Sequence, residues 1–380
     1  MMSILFIVCA SFPYGSATSS RALNIVKLLV DVGCKVHVIA DSLSTPECDI
    51  RNCSFIGLEK NSKPIGELSF EKAREYCNNN KVDIILMNAK NDRYNLFADY
   101  CKNNNIKLII ENCEWYDSSN YRWGKRDTEF LLNEKMLNED FIKADGFISI
   151  SRLLHSHNSK LNKFSVRIPT ILDTYNIVTR TRIVSDKISL IYTGRPGRSK
   201  ELLMPIMKAL ISNPKFYKNI TFHIYGPDLL HILYNINFNI FLLIRSLKCI
   251  VAHGNITQEK IFDKIKEADY QIFLRPNRRS SNAGFPTKLA ESMSVGTPVI
   301  SNDTGDISLY INNGVNGFLL KDNSVDSVVD VLNKIMSINL KEREKIRQNA
   351  RMTAEQYFDY KKYKEPIKNF LLNIMRGKNE

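Results

Sequence analysis

The first apolar run is not followed by a Gly-x-Gly-x-x-Gly fingerprint or by a Gly-Lys-Ser/Thr loop; "SFPYGSATSSR" stands there instead. That absence argues against dinucleotide binding of the fingerprint type and against P-loop ATP chemistry. Long hydrophobic runs are missing as well. The most apolar candidate, residues 229–247, is interrupted by His231, Asn235, Asn237, Asn239 and Arg245, which is too polar for an ordinary membrane span and suits a buried or amphipathic helix, or a surface that touches lipid or a partner. No basic leader precedes the apolar start and no small-residue cleavage site follows it, so "SILFIV" reads as a first buried strand and the protein is expected in the cytoplasm. The eight cysteines do not form a framework: seven fall before Glu114, several within apolar segments, as reduced core thiols would. Cys48 and Cys53 have no second Cys/His pair beside them, so no zinc site is expected. The six histidines are scattered, and no Ser/His/Asp or Cys/His signature is visible. Interleaved basic and aromatic residues of the kind that stack bases are absent too, which argues against nucleic acid.

What is present is excess positive charge. Lysine and arginine number 53 against 40 acids, a formal net charge of +13, which favours anionic partners such as phosphates or an anionic membrane face. At 380 residues, two domains are expected. Short β-rich runs alternate with helical-period segments: "SILFIV", a helix from about Ser20 to Val32 stopped by Gly33, then "KVHVIA". Further strands are expected at "VDIILMNA", "IKLIIENC" and "GFISIS". The alternation breaks over the polar residues 171–187 and restarts at "ISLIYTG", "ITFHIYG", "CIVAHG" and "YQIFLRP". The fold class expected is therefore α/β, with two Rossmann-like, doubly wound domains facing a central cleft: residues 1–172, a linker over 173–187, residues 188–356, and a C-terminal helix over 357–380 packing back across both. Such sheets bind ligands outside the carboxyl ends of their strands.

Three strand ends carry candidate chemistry. In "SFPYGSATSSR", Gly15 and Ser16 either present backbone amides at the start of the helix carrying Arg21 or form a plain turn. In "YTGRPGRSKELL", Arg195, Arg198 and Lys200 follow Gly194 at the entrance of a helix, where cations sit uneasily unless an anion such as a diphosphate lies between them. In "NAGFPTKLAESMSVGTPVIS", Pro286 suits the first helical position, Thr287 and Lys288 the first turn, and Gly296 the end; Glu291, one turn in, can accept hydrogen bonds from vicinal hydroxyls such as those of a ribose.

On these residues the chain resembles the retaining, metal-independent family-four glycosyltransferases of the GT-B fold. "GFPTKLAESMSVGTPVISNDTG" is similar to their EGFGLPxxEAxAxGxPVIxxxxGG segment, "YTGRPGRSK" to their GRxxxxKG phosphate clamp, and "HIYGP", containing Gly226, and "VAHGNITQEKI" to their strand-end markers. "ENCEWYD" and "RIPTILD" resemble a bacterial branch that builds surface polysaccharides. The resemblance implies that Arg195 and Lys200 hold a donor diphosphate, that Glu291 binds the nucleotide's ribose, and that Gly284, Phe285, Pro286 and Thr287 face the donor sugar. The family's first glutamate falls on Ala283, so Asn282 is the neighbouring candidate to replace it. Glu114 lies where the family often has a pocket histidine and is a candidate contact to the donor sugar or the acceptor hydroxyl; Trp115 and Tyr116 are candidates either for stacking on an acceptor sugar or for packing. No cofactor or metal is implied. The implied partners are a nucleotide-sugar donor and a glycan acceptor, polyprenyl-linked at the inner face of the cell membrane. Two alternatives stay open on the sequence: a nucleotide-sugar epimerase of the same fold, and a non-catalytic module that binds a nucleotide sugar beside another transferase.

Overall fold

The computed structural model describes residues 1–45, 49–58, 64–89, 93–162, 164–177, 179, 187–194, 196, 201–226 and 249–377. Arg195, Lys200, most of the polar stretch before the second sheet and the apolar segment 229–247 lie outside the described residues. The chain forms two compact units. One comprises Met1–Asp173, Asn282–Phe285 and Asp359–Glu380, the other Thr174–Ser281 and Pro286–Phe358.

The first unit is built on a seven-stranded sheet of β1 (Ser3–Phe12), β2 (Lys35–Leu43), β3 (Cys53–Gly57), β4 (Ile84–Asn88), β5 (Lys107–Asn112), β6 (Gly146–Ser149) and β7 (Ser165–Arg167), in the order β3-β2-β1-β4-β5-β6-β7. All six pairings are parallel. The helices are α1 (Ala17–Asp31), α2 (Ile65–Asn79), α3 (Tyr94–Asn103), α4 (Thr128–Asn138) and α5 (Arg152–Leu161). Continuous apolar strands such as "ILFIV" require cover on both faces, and each face has its own core. Phe6, Val8, Val36 and Val38 pack with Ile25 and Leu29 of α1; Leu5, Ile7 and Ile85 pack with Leu68 of α2 and Phe97 of α3. Helix α1 starts three residues earlier than its apolar period suggests, because Ser16 caps it: its Oγ accepts from the Ser19 amide at 3.1 Å.

The second unit holds β8 (Ile188–Thr193), β9 (Ile220–Tyr225), β10 (Ile250–Gly254), β11 (Tyr270–Ile272), β12 (Val299–Asn302) and β13 (Gly317–Leu320), in the order β10-β9-β8-β11-β12-β13, again with every pairing parallel. Its described helices are α6 (Met204–Ser212), α7 (Pro214–Asn219), α8 (Gln258–Glu267), α9 (Arg279–Ala283, whose last two residues belong to the first unit), α10 (Thr287–Ser294), α11 (Val325–Ser337) and α12 (Leu340–Tyr357). The chain then returns to the first unit as a 3-10 turn, Tyr360–Tyr363, and α13 (Lys364–Arg376). Ile367, Phe370, Leu371 and Ile374 of α13 join the core beneath α1. Among the described residues, no helix is long and apolar enough to cross a membrane.

Each sheet reverses its winding direction beside the strand that enters first, at β1/β4 and at β8/β11. The carboxyl ends of those strands are where an open α/β sheet leaves room for a ligand.

Candidate functional site

In the second unit, β8 ends in Tyr192 and Thr193, and Gly194 follows. Gly194 takes φ +128° and donates its amide to the Tyr225 carbonyl at 2.8 Å; Gly226, at φ +131°, donates to the Gly254 carbonyl at 2.9 Å. A Cβ on Gly226 would lie 2.0 Å from the Gly194 oxygen, so backbone packing between adjacent strand ends demands this glycine. Gln271 on β11 donates to Thr193 Oγ1 at 2.8 Å, tying the two strands at the reversal.

The bare side of Gly194 is covered by a cation. A Cβ there would stand 2.9 Å from Lys288 Nζ. Lys288 lies in the first turn of α10, and its ammonium pairs with Glu201 Oε1 at 2.8 Å and sits 5.5 Å from the Tyr192 ring centroid. Glu201, buried, also accepts from Tyr192 OH at 2.5 Å. Burial and the Glu201 charge both hold the Tyr192 phenol well above its ordinary pKa, so it stays a proton donor in this pair.

Arg275, three residues beyond β11, completes the cluster. Its backbone is fixed on both sides, the amide donating to Asn302 Oδ1 at 2.8 Å and the carbonyl accepting from Asn302 Nδ2 and Asn323 Nδ2 at 2.9 Å each. Its guanidinium Nη1 is buried with no hydrogen-bond partner among the described residues. Burial pushes the Arg275 pKa down to about 10, and the Glu201 carboxylate opposes that fall. Lys288 is thus paired directly with Glu201, while Arg275 feels the Glu201 charge without an ion pair among the described residues, so its guanidinium is left able to meet an anion.

Glu291 stands three residues after Lys288 on the same helix. Its half-buried carboxyl accepts no hydrogen bond among the described residues; burial pushes its pKa up, and Lys288 draws it back. The far end of α10 is held by Arg351 of α12, which donates Nη1 to the Ser294 carbonyl and Nη2 to the Thr174 carbonyl at 2.7 Å. Pro286 precedes the helix instead of occupying its first position: its ψ of 109° is extended, so Thr287 is the first helical residue.

The candidate residues of the first unit are engaged locally. Ser16 spends its hydroxyl on the α1 cap and on Ser19 Oγ at 2.8 Å, while Gly15, at φ +127°, makes the turn before it. Glu114, just past β5, accepts from Tyr116 OH. Trp115 packs inward, donating to Glu134 Oε1 at 2.9 Å and lying against His157 with ring centroids 4.3 Å apart. Asn282, Gly284 and Phe285 belong to this unit, as does Ala283, which is fully buried with its carbonyl accepting from Ser151 Oγ at 2.6 Å.

Residues 181–353 match the family model described as glycosyl transferases group 1. Among solved structures the chain is similar to sucrose-phosphate synthase from Thermosynechococcus elongatus, at TM-score 0.74 and 15% identity over 99% of this chain and 100% of that one. The fold is GT-B. Two further GT-B chains are Anabaena HepE in complex with UDP and glucose, at TM-score 0.71 and 15% identity over 98% of this chain and 100% of that one, and WaaG, a glycosyltransferase involved in lipopolysaccharide biosynthesis, at 0.67 and 14% over the same shares. A comparison with curated proteins finds no match. The group 1 match begins before β8 and ends within α12, so it spans the whole Lys288, Glu201, Arg275 and Glu291 cluster of this GT-B chain.

Glu201, Tyr192 and Arg275 lie within stretches quoted above, but nothing in those stretches gives them a role. Glu201 directly follows Lys200 where the family pattern quoted above has glycine, and that departure was the signal available for it.

Proposed function

We propose that the protein is a retaining, metal-independent hexosyltransferase that moves a sugar from a nucleoside-diphosphate donor to a growing, lipid-linked surface glycan. The observation that carries this reading is the set of groups at the ends of β8 and β11: Lys288 and Arg275 around Glu201, with Glu291 one turn away and its acceptor capacity unspent. A departing nucleoside diphosphate develops negative charge, and fixed cations lower the barrier to its departure. Lys288 supplies such a cation beside Gly194, and Arg195 and Lys200 are assigned to the same diphosphate on the sequence resemblance. Glu291 accepts from the two ribose hydroxyls. The acceptor hydroxyl attacks the anomeric carbon on the face the leaving group departs from, and its proton passes to a departing phosphate oxygen, so no protein nucleophile is needed. Glu114, poised by Tyr116, contacts the donor sugar or the acceptor. The group 1 match and the UDP and glucose complex of HepE support this class of donor.

The test is a panel of UDP-, GDP- and ADP-sugars with a lipid-linked glycan extract, following nucleoside diphosphate release and product mass. Transfer from one donor is expected; failure to bind any nucleotide sugar would overturn the reading, and release of a free sugar epimer without acceptor would replace it. Within the same assay, Lys288→Met is expected to weaken nucleoside diphosphate binding by about tenfold or more, the worth of one hydrogen bond to a charged group. Unchanged affinity by calorimetry would mean that the Lys288 ammonium serves Glu201 alone.

A further inference from the structure

The α4 helix and the turns on either side of it present an outward face that nothing in the first unit covers. Trp123, one of two tryptophans in the chain, is 68% exposed; Leu131, Leu132 and Ile142 are 54%, 60% and 64% exposed. Single exposed leucines are ordinary, but four large apolar side chains within one helix and its flanking turns are not. The inward side of the segment is already satisfied. Leu137 and Phe141 are buried in the core, Tyr121 lies edge-on to Phe130 at 5.6 Å, and its OH accepts from Asn133 Nδ2 at 2.9 Å. The segment is therefore anchored on one side and apolar on both.

Charge identifies the occupant. Arg122, Lys125, Arg126 and Lys135 are exposed around the apolar residues and form no ion pair among the described residues, and the Arg122 guanidinium lies 5.1 Å from the Trp123 ring centroid. Only two acids of α4 and its C-cap, Glu129 and Glu139, are exposed. Asp127 is spent on the amides of Trp123 and Glu129, and Glu134 on Trp115. An indole, aliphatic side chains and a rim of free cations match an anionic lipid interface, where the ring sits at headgroup depth, the leucines enter the acyl boundary and the long basic stems reach back to the phosphates. A second copy fits poorly, because a two-fold contact would set this cationic rim against itself.

We propose that this face, Trp123 with Leu131, Leu132 and Ile142, docks the first unit on a bilayer rich in anionic lipid. The inference deepens the proposed function by giving the transferase the surface that holds it beside a lipid-linked acceptor, and it rests on that reading only for the purpose of docking. The test uses the full chain with vesicles of phosphatidylcholine alone and of an equal mixture with phosphatidylglycerol, read by co-sedimentation and by tryptophan emission. Binding to the mixed vesicles is expected, with a blue shift that Trp123→Phe abolishes. Leu131→Ser with Leu132→Ser should weaken binding more than tenfold, and Arg122→Gln and Arg126→Gln about fivefold each, with release by salt. Should the leucine pair fail to fold, Ile142→Ser carries the same test. No binding, or binding that these variants leave unchanged, overturns the proposal; so does a wild-type dimer that Leu131→Ser splits, which would make the face a contact between copies. Vesicle binding with no affinity for any nucleotide sugar would sink the transferase reading and leave this one standing.

Discussion

Glu291→Gln should weaken nucleotide-sugar binding roughly one hundredfold while making the folded protein more stable at neutral pH. The two effects share one cause. In the folded chain burial disfavours the charged carboxylate, so its pKa is raised above the unfolded value despite the nearby Lys288. A raised carboxyl contributes stability that is fully present below the unfolded pKa and is lost as pH rises through the folded one. At neutral pH the ionised side chain is therefore a cost, and the amide removes it. The stability difference should close on acidification through the ordinary carboxylate range. Binding moves the other way, because an amide offers one acceptor oxygen where the carboxylate offers two to a pair of vicinal hydroxyls. Denaturant unfolding across pH, run beside calorimetry with the preferred donor, checks both arms. A variant that is less stable at neutral pH, or that binds as well as the parent, would contradict this account.

Arg21→Met should cost about 3–5 kcal/mol of stability, the loss typical when one member of a buried ion pair is removed. Arg21 and Glu111 are 5% and 1% exposed and meet at 2.7 Å. Every guanidinium nitrogen is used: Nε on Glu111, Nη1 on the Pro169 carbonyl at 2.6 Å and Nη2 on the Ile168 carbonyl at 3.0 Å. The second carboxylate oxygen of Glu111 accepts from Asn88 Nδ2 at 2.5 Å, and Asn88 Oδ1 accepts from the Cys9 amide at 3.0 Å. Five segments of the first unit, β1, α1, β4, β5 and the chain beyond β7, are thus joined through this pair. The variant leaves a buried carboxylate without its counter-charge and two carbonyls without donors. Adding Glu111→Leu should recover much of the loss, because the uncompensated charge goes with it. Urea denaturation of the single and double variants decides the matter; a single variant within about 1 kcal/mol of the parent would show that Asn88 and solvent suffice for Glu111.

The parts legible in the sequence are those fixed by local pattern. Apolar runs such as "SILFIV" and "ISLIYT" are strands because a parallel sheet buried on both faces needs uninterrupted apolar side chains. Strands β3, β7 and β13 escaped: all three lie at sheet edges, and the first two are only half-buried and carry no clear apolar run. Lys288 and Glu291 share a face of α10 because they are three residues apart, which spacing alone predicts. Long-range pairing was not legible. Gly226 stood out as a strand-end glycine, but its reason, the Gly194 oxygen on the neighbouring strand, depends on register. Glu201 draws its role from a lysine 87 residues away and Arg21 from a glutamate 90 residues away. Arg21 at a helix entrance resembles an anion ligand until burial shows its charge already matched.

The return of the chain to the first unit after Phe358 governs the order in which the protein is completed during synthesis. The first unit emerges early but lacks α13, so a nascent chain that ends before Asp359 leaves the core beneath α1 without the side chains of Ile367, Phe370, Leu371 and Ile374. The second unit has all its own strands by then and can close first, although it begins later. Until the last helix docks, the earliest part of the polypeptide carries open apolar surface, which makes it the part that most needs protection from premature association.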